Sequence, residues 1–203
     1  MSTRALLLSF VLPSALSVAA TAAPPTPEWP ANVAVFEAQV AKVEVPKGSS
    51  SINFQLPQLR MYDAKGQRVL NVTGYSSAFA GILSGVLEGR GESQAFATLA
   101  AELGRVVRSA DHKPLAPLPK ADFTIVEYWA EWCAPCHAQA RDMAAVLGGH
   151  PKTRVNLLHV DADLNRIKPE RVEVDDAEAA AQKEAGAGVG SGPPRARSRA
   201  SGA

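Results

Sequence analysis

The chain has little cysteine and almost no net charge. Of its 203 residues two are cysteine, and the formal net charge is +1. So small a net charge argues against nucleic acid or an anionic membrane surface as the main partner. The apolar run over residues 5–20 is too short and too weakly hydrophobic to favour a membrane span. Length and composition therefore indicate one globular domain with additional segments.

The N-terminal segment has the pattern of an export signal. Arg4 precedes the apolar run, and Ala20-Thr21-Ala22 fits the small-x-small rule for cleavage. We expect residues 1–22 to be a cleaved signal peptide and the protein to be periplasmic or secreted, with an uncleaved anchor as the alternative. Exported proteins meet an oxidising environment in which disulfides persist.

Composition also divides the rest of the chain. Residues 23–51 are predicted to be a linker and N-terminal extension, and residues 52–168 are predicted to form an α/β domain. Residues 169–203 are predicted to be a short helix over 175–185 and a disordered tail, because the tail has little to bury.

Hydrophobic spacing upstream of the cysteines predicts strands followed by a helix. Residues 52–62 and 68–73 are predicted to be paired strands, and an amphipathic helix is expected over 79–87. Residues 32–45 fit helix or strand. A further amphipathic helix, weakened by Gly104, is predicted from the apolar residues Phe96, Leu99, Leu103 and Val106.

A second group of elements surrounds the cysteines. A strand is predicted over 123–128, a helix over 133–147 and a buried strand over 155–160. A strand–helix–strand order within so short a segment indicates a βαβ unit with parallel strands and a right-handed crossover.

Both cysteines lie where the first of these strands gives way to the helix. A thiolate attacks disulfides, and a helix N-terminus lowers the pKa of a thiol placed there. Cys133 falls at the start of the predicted helix, and we expect its sulfur to be exposed; Cys136 is one turn later and turned inward. Pro135 suits a first helical turn. This arrangement predicts a nucleophile and a resolving thiol that form a disulfide.

Other uses of the pair are open. A structural disulfide closing so small a loop stabilises a fold little. A zinc site needs further ligands, and His137, His150 and His159 are not at finger-like spacing. Cys133-Ala-Pro-Cys136-His137 also satisfies C-x-x-C-H, the attachment motif of c-type haem. Against haem, the only methionine after the motif is Met143, six residues beyond His137, and such iron usually takes a second axial ligand.

The stretch Val126-Glu-Tyr-Trp-Ala-Glu-Trp-Cys-Ala-Pro-Cys136 resembles thioredoxin strongly. The resemblance covers the strand, the cysteine pair and the helix, and continues weakly through residues 155–161. It implies that Cys133 is the nucleophile and Cys136 the buried resolving thiol. It also implies that Trp132 shields the site and contacts substrate. Glu127 takes the position of a buried acid that exchanges a proton with Cys136, although an exposed Glu127 is the alternative.

The element order departs from that family. Thioredoxins place a cis-proline in the strand that follows this βαβ unit, facing the disulfide, and then come a hairpin and a last helix. Here Pro57, the predicted strand pair and the helix over 79–87 come before the βαβ unit. The resemblance therefore implies a thioredoxin-like three-layer sandwich. Either it is permuted, with ββα before βαβ and Pro57 facing Cys133 as a substrate-binding residue, or it is truncated at the C-terminus.

The function implied is thiol–disulfide exchange with protein partners, including one that recycles the cysteine pair. No dissociable cofactor and no metal site are expected. A c-type haem electron-transfer protein and a non-catalytic thioredoxin-fold binding module are the alternatives. Nothing in the residues between the cysteines fixes the direction of electron flow.

Overall fold

The structure is a computed structural model, and it describes residues 27–49, 52 and 54–175. The predicted signal peptide, the predicted disordered tail and nearly all of the short helix expected over 175–185 lie outside these residues. Within the described ranges, no helix is both long enough and apolar enough to cross a membrane.

The elements follow one another as short strands and helices. The strands are β1 (Val33–Val40), β2 (Lys42–Pro46), β3 (Gln58–Asp63), β4 (Gln67–Thr73), β5 (Gln94–Thr98), β6 (Val106–Arg108), β7 (Phe123–Trp129), β8 (Val155–Asp161) and β9 (Glu170–Val174). The helices are α1 (Phe79–Gly85), which continues into a wider turn over Val86–Arg90, α2 (Leu99–Leu103) and α3 (Ala134–Gly148).

Seven strands form one mixed sheet in the order β5-β4-β3-β7-β8-β1-β6. The central strands β7, β8 and β1 are parallel, whereas β3, β4, β5 and β6 pair antiparallel with their neighbours. Strands β2 and β9 form a separate parallel pair. The predicted α/β class is confirmed.

The βαβ unit forms where the sequence predicts it. Nearly every residue of β7 and β8 is buried, as expected for parallel strands covered on both faces. Helix α3 turns Cys136, Gln139, Ala140, Met143 and Leu147 toward the sheet. It ends at Gly148, followed by Gly149 as its cap.

The upstream ββα unit joins the other side of β7. Strand β3 runs antiparallel to β7, with Gln58 opposite Tyr128 and Asp63 opposite Phe123. The β3–β4 turn contains Gly66 at φ 76°, a left-handed conformation that favours glycine. Helix α1 then packs beside α3 on the same face of the sheet. The chain therefore has the permuted order, ββα before βαβ, and the truncated alternative is wrong.

The core lies on both faces of the sheet. On one face, residues of α1 and α3 pack on the sheet around Leu59, Ile125 and Leu157. The opposite face carries Val126, Tyr128 and Leu158. It is covered by side chains of β2, by partly buried residues of α2 and by the loop residues Leu115, Leu118 and Leu164. The outer layer on this side is therefore built from short elements.

Three sequence-based assignments need correction. Residues 32–45, ambiguous between helix and strand, form β1 and β2, because β1 pairs with β8 along its length. Strand β3 begins only at Gln58, directly after Pro57, which has no N–H to donate to a ladder. The helix predicted over residues 96–106 is instead β5, the five-residue α2 and β6. There the pairing of 94–98 with β4 and of 106–108 with β1 overrides helical spacing.

The predicted boundaries of the α/β domain also differ from the sheet. Strand β1 lies inside the segment expected to be linker and extension, yet it is an inner strand next to β8. Strand β9 lies beyond residue 168 and pairs with β2. Composition missed β9 because that strand is short and largely charged, and it missed β1 because that strand directly follows the proline-rich residues 24–30.

A buried ionic cluster lies on the face opposite α3. The Glu102 carboxylate pairs with Arg60 and accepts hydrogen bonds from Tyr62 Oη at 3.1 Å and Tyr128 Oη at 2.5 Å. Burial by itself raises the pKa of Glu102, but the charge of Arg60, the Tyr128 hydrogen bond and Arg105 outweigh it, so that pKa lies below its ordinary value. Glu102 thereby ties α2 to β3 and β7.

Leu59→Ala tests whether β3 belongs to the common core. Leu59 is fully buried among residues of α1, α3 and β7, so we expect the free energy of unfolding to fall by about 2–5 kcal/mol in urea titrations. Val35→Ala, at a side chain 37% exposed on β1, is the control and is expected to change it by about 0.5 kcal/mol or less. A Leu59→Ala effect as small as the control's would contradict the placement of β3.

Glu102→Gln tests the ionic cluster. Removing this carboxylate leaves the largely buried Arg60 guanidinium without its counter-charge, so we expect a loss of about 3 kcal/mol in unfolding free energy near neutral pH. Because the folded pKa of Glu102 is lowered, its contribution is present above the unfolded value and declines as pH falls toward the folded value. The difference between variant and parent, measured by urea unfolding across the acidic range, should therefore shrink at low pH. A difference that stays constant with pH would contradict the assignment.

Candidate functional site

Cys133 caps the N-terminus of α3. Its extended backbone ends the loop after β7, and its Sγ accepts a hydrogen bond from the backbone N–H of Cys136 at 3.2 Å. Pro135 lies in the first helical turn, where its missing N–H removes no helical hydrogen bond. The sulfur is thus held at the positive end of the helix dipole, as the sequence predicts.

The two cysteines form a disulfide, with their Cα atoms 5.2 Å apart. Cys136 is 1% exposed, as expected for a resolving thiol, but Cys133 is only 3% exposed. The expectation of an exposed Cys133 sulfur is therefore wrong for this oxidised form. Ala130, Leu56 and Trp129 pack around the pair and cover it.

The segment before β3 also packs against the disulfide. Leu56 packs against the cysteine cluster, and the Leu56–Pro57 peptide bond is cis. The Pro57 carbonyl accepts a hydrogen bond from the Gly74 N–H at 2.8 Å, which ties this segment to the end of β4. The upstream unit therefore brings the residue preceding Pro57 into the site, as the permuted arrangement requires.

Trp132 lies in the loop immediately before Cys133 and is 63% exposed. An exposed indole beside a disulfide offers a large apolar surface at the rim of the site. Its position fits the substrate contact that the resemblance to thioredoxin implies.

Glu127 is fully buried, so the exposed alternative is wrong. It lies on the face of β7 that α3 covers, two residues from Ile125 in the helix-covered core and two from Trp129 beside the cysteines. Its Oε2 is 3.0 Å from Nδ1 of His159 on β8. Its Oε1 has no hydrogen-bond partner among the described residues.

His159 and Trp129 are site residues that sequence reasoning missed. Glu127 and His159 are directly opposite each other in the parallel β7–β8 register. The Trp129 ring stacks on the His159 ring, with their centroids 4.1 Å apart. Aligning the two predicted strands from their carboxyl ends would have found this pairing.

His137 lies at the edge of the same cluster. Its ring meets Trp129 edge-on at 6.1 Å, and its Nε2 is 2.8 Å from the Glu131 carbonyl oxygen. His137 is therefore a half-buried residue at the rim of the disulfide site.

Three buried polar atoms on this side of the sheet have no hydrogen-bond partner in the part of the chain that the structure describes. They are Glu127 Oε1, Trp129 Nε1 and Gln139 Oε1. Gln139 lies one turn after Cys136 and is fully buried, with its Nε2 donating to the Gly74 carbonyl at 3.5 Å. Buried polar groups are nearly always paired, so such a concentration is typical of a functional site rather than of a core.

The comparison with protein families agrees with this geometry. A family model described as thioredoxin matches residues 112–178, which include β7, α3, β8 and β9. The match leaves out β3, β4 and α1, which come earlier in the chain. No curated protein and no solved structure matches the chain significantly.

The family model and the sheet thus agree on the same βαβ unit. The upstream ββα unit completes the sheet around it, and the cysteine pair lies at the helix N-terminus. These observations support a thioredoxin-like fold for the chain.

Proposed function

We propose that the protein is a thiol–disulfide oxidoreductase that exchanges its Cys133–Cys136 pair with protein partners. The observation that carries this proposal is the position of Cys133 Sγ over the first turn of α3, where the Cys136 N–H points at it. Such a site stabilises a thiolate over a thiol, and a thiolate is the attacking species in disulfide exchange.

In the reducing direction, the Cys133 thiolate attacks one sulfur of a partner's disulfide. A mixed disulfide forms between Cys133 and that sulfur, and the partner's other sulfur leaves as a thiolate. The Cys136 thiol then loses its proton and attacks Cys133 Sγ, so that the internal disulfide forms and the partner's second sulfur is released. The partner gains two electrons and the dithiol is oxidised.

Glu127 is proposed to take the Cys136 proton. It is fully buried beneath the helix that carries Cys136, and one of its carboxylate oxygens has no hydrogen-bond partner among the described residues. A positioned carboxylate that accepts a proton accelerates such a step by about 10²-fold or more.

Substrate contact is assigned to the rim of the site. Trp132 offers an exposed indole, and the segment containing Pro57 packs against the cysteine cluster through Leu56. We propose protein disulfides as substrates, together with a redox partner that recycles the pair, and no dissociable cofactor. Export through the N-terminal segment, to the periplasm or beyond the cell, completes the proposal.

Cysteine variants test this function in an insulin-reduction assay with dithiothreitol. The parent protein is expected to accelerate insulin precipitation, and Cys133→Ser is expected to abolish the acceleration because the nucleophile is gone. In Cys136→Ser, Cys133 is still expected to attack insulin disulfides, but a mixed disulfide with insulin should accumulate because no second thiol resolves it. Non-reducing electrophoresis detects that adduct.

The two variants control for each other because the chain has no further cysteine. A parent protein that fails to accelerate precipitation would support a binding module instead. An absorbance scan that shows a Soret band in the purified protein would support the haem alternative. An adduct in Cys133→Ser rather than in Cys136→Ser would reverse the roles given to the two sulfurs.

A further inference from the structure

His159 is the one side chain seen to hydrogen-bond the buried Glu127 carboxylate in the described part of the chain. Its Nδ1 lies 3.0 Å from Oε2, and the two residues are register partners in adjacent parallel strands. His159 itself is 8% exposed. The pair is therefore a buried acid and base held by the backbone of the central sheet.

The imidazole is fixed from more than one side. Trp129 stacks on it with 29° between the ring planes, so the ring is held close to parallel with the indole. The next strand, β1, places Glu37 opposite His159 in register, but Glu37 is exposed to solvent. Asp161, two residues along β8, is paired with Arg166. Of these acidic side chains, Glu127 is therefore the one placed to hydrogen-bond the His159 ring.

The two oxygens of Glu127 have different environments as a result. Oε2 faces His159, whereas Oε1 is buried and without a partner among the described residues. A carboxylate held by one oxygen keeps a defined orientation, and its other oxygen keeps full capacity to accept a proton.

We propose that His159 is a positioning residue for the resolving step. Its Nδ1–H donates to Oε2 and orients the carboxylate so that Oε1 accepts the Cys136 proton. The proton moves from Cys136 Sγ to Oε1, the sulfur keeps its electron pair, and that pair forms the bond to Cys133 Sγ while the partner sulfur leaves. This inference rests on the proposed function and assigns His159 no contact with substrate.

The experiment separates the two chemical steps. Reduced protein is mixed in a stopped-flow instrument with dithiobis(nitrobenzoic acid), which releases one coloured thiolate when Cys133 attacks and a second when Cys136 resolves the adduct. The variants are His159→Leu, which lacks the donor, and His159→Asn, whose amide nitrogen can occupy the position of Nδ1. Glu127→Gln and the double variant Glu127→Gln/His159→Leu complete the set.

We expect the rate of the first release to stay within about twofold of the parent's rate in every variant, because Cys133 is activated by the helix and not by His159. The second release should slow by about tenfold or more in His159→Leu and in Glu127→Gln. In His159→Asn the rate of the second release should be within about threefold of the parent's rate. In the Glu127→Gln background, His159→Leu should cause no further slowing, since it acts only through that carboxylate.

Several results would overturn the proposal. One is an unchanged rate of the second release in His159→Leu, and another is equal slowing of that release in the Asn and Leu variants. A third is a double variant in which the effects of Glu127→Gln and His159→Leu on that rate are independent. Slowing of both releases together would indicate a general structural role and would also overturn it. Failure of the proposed function would look different, because the parent protein itself would show no insulin reduction.

Discussion

The N–H of Cys136 pointing at Cys133 Sγ is the interaction on which the site depends. It exists because β7, a strand buried on both faces, ends at Trp129, and after the three loop residues 130–132 Cys133 caps α3, which starts at Ala134. Burial of β7 fixes where the loop begins, and the packing of α3 on the sheet fixes the direction of its first turn. The electrostatic environment of one sulfur is therefore set by the rigid centre of the fold.

The order of elements along the chain matters less than where they pack. The ββα unit comes before the βαβ unit, yet β3 still lies antiparallel beside β7 and brings the Leu56–Pro57 segment to the cysteines. The contacts between β3 and β7 depend on which strands are neighbours in the sheet and not on which unit comes first in the chain. The match to the thioredoxin model covers the later unit, over residues 112–178.

Much of this arrangement was predictable from local patterns. The strand before the cysteines, α3, β8, the β3–β4 pair and α1 follow from hydrophobic spacing and turn residues, and Glu127 is buried as the motif implies. The rest depends on long-range pairing. Strand β1 is recognisable only once β8 is beside it, and the region of β5, α2 and β6 follows its sheet partners rather than its own periodicity.

Side-chain environments were the hardest to foresee. The burial of Cys133 depends on Leu56, distant in sequence, packing over the disulfide. The pairing of His159 with Glu127 depends on the relative register of two strands. The pairing becomes visible only when the two predicted strands are aligned with each other, and each strand read alone left His159 as a poorly placed metal ligand.

The central claim is that the fold holds the Cys133 sulfur as a stabilised anion. The most direct test is the rate at which iodoacetamide alkylates Cys133 in the reduced protein near neutral pH, located by peptide mass spectrometry and compared with the same protein in urea. The account predicts alkylation about tenfold faster or more in the folded protein, because the helix N-terminus is lost on unfolding. Equal rates in the folded and unfolded protein, both matching a free model thiol, would contradict it.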